Sequence, residues 1–90
     1  YPFFPYHHER KFEMLHIELD PGSRSVSEAH EPGTEEFILV YEGCFVLETD
    51  GKRHYVEAGN AIHFQADRPH VYENGCDGNT RICMLIYYQK

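Results

Sequence analysis

A chain of 90 residues is one small domain: at this length little more than about 60% of the unfolded surface can be buried, which leaves no room for a second core. The apolar share of 41%, with seven Tyr, six Phe and no Trp, describes a globular domain rich in strand formers and excludes a disordered chain. Fifteen acidic against eight basic residues leave a formal charge of −7, which repels phosphate backbones and excludes a direct grip on nucleic acid by this segment.

No apolar run approaches the roughly 20 residues that cross a bilayer, and nothing at the N-terminus resembles a signal peptide. Cys44, Cys76 and Cys83 are an odd number without a CxxC pair. They read as small buried hydrophobes with no chemistry, in a reducing cytoplasm.

In chain order, residues 1–11 predict an extended arm, because Pro2 and Pro5 break any helix and flanking aromatics suit an edge or an inter-subunit contact. The opening at Tyr1 rather than Met reads as a piece of a longer protein. Phe12 to Leu19 alternates apolar and polar residues and predicts a strand, stopped by Asp20-Pro21-Gly22. Ser23 to Thr34 is polar and reads as a loop carrying Glu28 and His30. Glu36 to Tyr41 is the most apolar strand, and Cys44 to Thr49 is another. Asp50-Gly51 is a strong hairpin signal returning into Lys52 to Val56. Ala61 to Gln65 and His70 to Glu73 predict short strands. The glycine-rich loop Asn74 to Asn79 leads into a long last strand, Thr80 to Tyr88, whose run of apolar residues predicts burial on both faces. Turns every eight to twelve residues and no helical periodicity predict an all-β sandwich or barrel.

Three residues stand out as donors of the kind that hold a divalent metal: His30 in a loop, Glu36 at the mouth of an apolar strand, and His70 behind Pro69. Each has a plainer reading as a solvated or strand-end residue. A buried unpaired Glu36, however, is costly, so a partner such as His30, Arg68 or a metal is expected. Strand parity places Glu36 on one face with Ile38 and Val40, leaves Phe37, Leu39 and Tyr41 on the other as core or dimer surface, and puts Tyr72 beside His70. Glu35 competes with Glu36 for the inward role. His7, His8, His16, His54 and His63 have no spacing that recommends them.

The run from Pro21 to Gly43 resembles the first motif of the cupin family, in which a glutamate stands six residues before a closing glycine, as Glu36 does before Gly43. Gly59, Pro69, His70 and Asn74 resemble its second motif. The wording SEAHEPGTEEF, AGNAIHF and ADRPHVYEN is especially similar to the cupin domain that follows a helix-turn-helix in Xre-type transcription regulators. The resemblance implies a small jelly-roll barrel of antiparallel strands over residues 12–90. It also implies a homodimer, and an interior pocket for a small-molecule effector or a metal. DNA would be met only through a helix-turn-helix outside this chain.

The family's first motif carries two histidines where this chain has Glu28-Ala29-His30. The inherited ligand set therefore becomes His30, Glu36 and His70, with Glu28 as a fourth oxygen donor and Glu35, Ile38, Val40, Arg68 and Tyr72 around the pocket. Iron, manganese, nickel or zinc would suit such donors. Three readings stay open: an effector-sensing domain of a regulator, a small metal-dependent oxygenase or isomerase, and a sugar- or amino-acid-binding barrel with no metal.

Overall fold

The computed structural model describes residues 2–4 and 11–89, and the middle of the predicted arm, residues 5–10, lies outside them. The described residues form nine strands: β1 (Pro2–Phe4), β2 (Phe12–Leu19), β3 (Arg24–Ser27), β4 (Glu35–Glu42), β5 (Cys44–Thr49), β6 (Lys52–Glu57), β7 (Ala61–Gln65), β8 (His70–Asn74) and β9 (Thr80–Tyr87). They build two antiparallel sheets, one in the order β1-β2-β9-β4-β7 and one in the order β3-β8-β5-β6. The two sheets face each other without closing into a continuous hydrogen-bonded ring. The result is a two-sheet container whose edge strands are β1 and β7 in one sheet and β3 and β6 in the other.

Alternation along β4 and β9 decides what they turn inside, whereas β5 buries Phe45, Val46 and Leu47 in succession. Ile38 and Val40 on β4 and Ile82, Met84 and Ile86 on β9 point inward from the five-stranded sheet, where they meet Phe45 and Leu47 of β5 and Val56 of β6. These residues, with Phe64 and Ala66, form one apolar core. The last strand departs from the sequence reading: Arg81 is exposed, and Cys83, Leu85 and Tyr87 are only partly covered, so β9 is buried on one face. Apolar side chains at Ile82, Met84 and Ile86, with Cys83, Leu85 and Tyr87 between them, mimic a doubly buried strand. Phe37, Leu39 and Tyr41 lie on the outer face, each more than two-fifths exposed.

Strand β3 lies within the stretch that the sequence predicts as loop. Its sequence, RSVS, has no apolar alternation, and as an edge strand it keeps three of four residues exposed; only its pairing with β8 makes it a strand. The hairpin at Asp50-Gly51 is as expected, with both residues at positive φ (53° and 73°), as a two-residue turn that follows the sheet twist requires.

The cysteine reading needs correction. Cys44 and Cys76 form a disulfide with Cα atoms 5.7 Å apart, and Cys83 is the free thiol. The pairing arises because β5 lies beside β8, which brings the start of one next to the loop after the other. That loop is also held by Asn74, whose buried amide Nδ2 donates to the carbonyls of Leu19, Asp20 and Gly78, while its Oδ1 accepts from the Cys76 N–H.

Candidate functional site

His30, Glu36 and His70 arrive from three elements. Glu36 is the second residue of β4 and shares the inward parity of Ile38, which leaves its side chain wholly buried. His70 opens β8 and is equally buried. His30 lies in the loop before β4, one third exposed at its side chain, and the backbone sets its place: its N–H donates to the Ala66 carbonyl at 2.9 Å, while the Ala66 N–H donates to the Thr34 carbonyl at 2.9 Å. The two site loops, one ahead of β4 and one ahead of β8, are thereby stitched together.

One ligand atom from each residue lies within 4.8 Å of the others. Oε2 of Glu36 is 3.1 Å from Nε2 of His30 and 3.6 Å from Nε2 of His70, yet it has no hydrogen-bond partner despite complete burial. The two imidazoles stack at 5.7 Å, and the Phe64 ring meets His70 edge-on.

The hydrogen bonds around this group define what it offers. Nδ1 of His70 donates to the Arg68 carbonyl at 2.8 Å, because a carbonyl only accepts. In the neutral ring Nε2 is then left with a lone pair facing Glu36. That is how a metal-ligating histidine is usually oriented: the far nitrogen tied to a carbonyl, the near one turned toward the carboxylate and the Tyr72 hydroxyl. The Tyr72 hydroxyl donates to Oε1 of Glu36 at 2.5 Å, and its oxygen lies 3.0 Å from Nε2 of His70. Burial first, and then the charge of Glu36, push the Tyr72 hydroxyl well above the ordinary phenol range, so it stays protonated and keeps donating. One oxygen of Glu36 is thus fixed by Tyr72, and the other is turned toward two imidazoles.

This donor set fits a divalent ion. A buried carboxylate oxygen that lies between two imidazole nitrogens without a hydrogen bond is an unfavourable place for a charge unless a cation, a metal ion or a protonated imidazole, meets it. Two histidines and one carboxylate are also the facial set of many transition-metal sites.

The other expected pocket residues lie elsewhere. Glu28 is exposed and outside the donor group, because its loop brings only His30 inward. Glu35 has the opposite parity to Glu36: on the outer face it pairs with His63 at 2.6 Å and accepts from Gln89. The Arg68 side chain turns outward to Asp50 at the hairpin tip and to its neighbour Asp67; only its backbone carbonyl serves the site. Ile38 and Val40 are inward but belong to the core. Parity had placed Tyr72 beside His70, but its bond to Glu36, a residue 36 positions away, depends on how the sheets face each other and has no local signal.

Asp67 staples the loop that carries His30. Its carboxylate accepts the Gly33 N–H at 3.0 Å, and chiefly through that bond it is held below the usual carboxylate range. A carboxyl whose pKa is depressed by folding contributes stability above its unfolded value, and that stability is lost as pH falls through the folded value. Melting temperature should therefore fall more steeply with acid below about pH 4 in the native chain than in Asp67→Asn. Equal slopes would remove this role.

Comparison with known proteins agrees with this architecture. The Cupin domain family model (Cupin_2) matches residues 15–87. The helix-turn-helix-type transcriptional regulator SutR of Escherichia coli K12 is 33% identical over 87 residues, covering 97% of this chain and 49% of the regulator. The chain thus spans about half the length of the curated relative it matches. Among solved structures, the Cupin_2 domain of an XRE family transcriptional regulator from Enterobacter cloacae superposes with a TM-score of 0.94 at 31% identity, covering 100% of this chain and 95% of that one. An HTH_3 family transcriptional regulator from Vibrio cholerae gives 0.92 at 27% identity, covering 99% of this chain and 49% of the other. Among the described residues no helix is long and apolar enough to cross a membrane. With two facing antiparallel sheets, a family match over most of its length and relatives of this kind, the chain belongs to the cupin family and is similar to the cupin domains of helix-turn-helix transcription regulators.

Proposed function

We propose that this domain is the sensing module of a cytoplasmic helix-turn-helix transcription regulator, and that it holds a divalent transition ion on His30, Glu36 and His70. The observation that carries the metal reading is the buried Oε2 of Glu36, set between two imidazole nitrogens without a hydrogen bond. The regulator reading is supported by relatives twice as long as this chain whose names place them among such regulators. The net charge of −7 agrees, since DNA contact would then fall to a separate domain.

When bound, the ion would supply a Lewis-acid charge with coordination positions left for an oxygen donor of a small effector. The protein's own residues do the rest. Arg68 orients His70 through its carbonyl, Tyr72 holds Glu36 on one oxygen, and the exposed edge of His30 is the side from which an effector would approach. An effector shifts the domain between two states only if it binds them with different affinity. The outer face bearing Phe37, Leu39 and Tyr41 is the surface on which a second copy would pack to form a homodimer.

Elemental analysis of the purified domain should return iron, manganese, nickel or zinc, and added ion should raise its melting temperature. Both effects should be absent in His70→Ala. A metal-free protein that no such ion stabilises ends the metal reading. The facial donor set also suits a non-haem oxygenase, and dioxygen uptake by the iron-loaded domain with a small organic acid would favour that second reading.

A further inference from the structure

We propose that Cys44 and Cys76 form a reversible thiol–disulfide exchange site, a clasp that low-molecular-weight thiols open and low-molecular-weight disulfides close.

The two cysteines join the start of β5 to the loop after β8, 32 residues apart in sequence. Both are partly accessible, and Gly75, Asp77, Gly78 and Asn79 around Cys76 are exposed, so a small thiol can reach the bond. The backbone is built to bring the sulfurs together. Gly75 donates its N–H to the Cys44 carbonyl at 3.1 Å, and a Cβ at that position would stand 2.9 Å from Cγ2 of Val46 and 3.4 Å from Sγ of Cys44. Only a residue without a side chain lets the loop lie this close to Cys44.

Reversibility requires that the opened thiols stay in place, and the noncovalent bonds supply this. Asn74 still binds three carbonyls and the Cys76 N–H, while the Thr80 hydroxyl accepts the Cys44 N–H at 3.1 Å. None of these needs the S–S bond. The strand that ends in this loop also bears His70, Tyr72 and Asn74 on its inner face, so the clasp sits at the far end of the element that carries half the candidate site.

Opening proceeds by exchange. The thiolate of a small thiol attacks one sulfur of the pair, the other cysteine leaves as a thiolate and takes up a proton, and a mixed disulfide remains. A second small thiol then attacks the mixed disulfide, freeing the remaining cysteine as a thiol and releasing one small disulfide. Two electrons and two protons have passed to the protein, and closing is the same sequence reversed. Cys83 takes no part: it lies on β9, on the outer face of the other sheet, and burial raises its thiol pKa, which lowers its reactivity.

The test equilibrates the folded chain at graded ratios of reduced to oxidised glutathione, approached from both directions, with thiols counted by alkylation and mass spectrometry. The expected result is one alkylated cysteine, Cys83, at the oxidising end and all three at the reducing end. The curve should be the same from either side, far-ultraviolet circular dichroism should stay folded throughout, and amide exchange at 75–79 should be several-fold faster when open. A folded Cys44→Ser variant should take up one glutathione on Cys76. Three free thiols at every ratio overturn the proposal, as does opening that occurs only with loss of the fold. Coupling to the ion rests on the reading given above. If that reading holds, manganese or nickel binds with different affinity to the open and closed forms, and by reciprocity shifts the glutathione midpoint by the same factor. If neither form binds an ion, the metal reading fails and the thiol count alone judges the clasp.

Discussion

Gly43→Ala is expected to destabilise the domain by about 3–5 kcal/mol, a sizeable part of the roughly 5–13 kcal/mol that holds a domain of this length. Gly43 joins β4 to β5 at φ 81°, in the left-handed region where a side chain is strained. A Cβ there would also stand 2.4 Å from Oγ1 of Thr80, 2.8 Å from the Asn79 carbonyl oxygen and 2.9 Å from Cα of Thr80. Thr80 cannot yield, since its hydroxyl accepts the Cys44 N–H and shares its own proton between the Cys44 carbonyl at 3.0 Å and Oδ1 of Asn74 at 2.8 Å. Thermal denaturation should show a drop of at least about 12 °C. Gly51→Ala is the control: its φ is 73°, but nothing lies within 4 Å of the added carbon, so it should cost only about 1–2 kcal/mol. If the two variants melt together, the close approach at Gly43 is not what the geometry implies.

Glu36→Gln should separate stability from binding. The amide keeps the shape of the side chain and an acceptor for the Tyr72 hydroxyl, but removes a buried charge whose second oxygen makes no hydrogen bond. The metal-free variant is therefore expected to be more stable than the native domain by about 1–2 kcal/mol, a rise of about 4–16 °C in melting temperature. In the native domain, ion at a hundred times its dissociation constant adds about 2.7 kcal/mol; in Glu36→Gln that gain should vanish. A metal-free variant that melts well below the native domain would mean that Glu36 is already satisfied by a protonated imidazole. The site would then be a closed ion pair instead of a place for a cation.

Most of the fold could be read from the chain because strand signals are local. Phe12–Leu19 and Ala61–Gln65 carry their own alternation, Cys44–Thr49 is an apolar run between two turns, and the strands match those bounds. Glu36 is favoured over Glu35 by its interval to Gly43 and by sharing the parity of Ile38 and Val40, although Glu35 stays a competitor until the fold places it on the outer face. What escaped reading depended on partners distant in sequence. The edge strand β3 is defined by β8, the disulfide by the adjacency of β5 and β8, and the outward turn of Arg68 by an aspartate at a hairpin tip. Glu28 shows the same limit in a loop: two residues from His30, it has no strand period to say which way it faces.

On β8, positions 70, 72 and 74 carry the imidazole, the phenol and the loop-anchoring amide on one side of the pleat. A one-residue slip in the pairing of β8 with β5 would swing all three outward together and send Val71 and Glu73 into the interior, and a single insertion or deletion inside the strand would put part of the set out of phase with the rest. Changes in length should therefore be tolerated in the 20–23 turn but not along this five-residue segment, which works as a ratchet with one permitted notch.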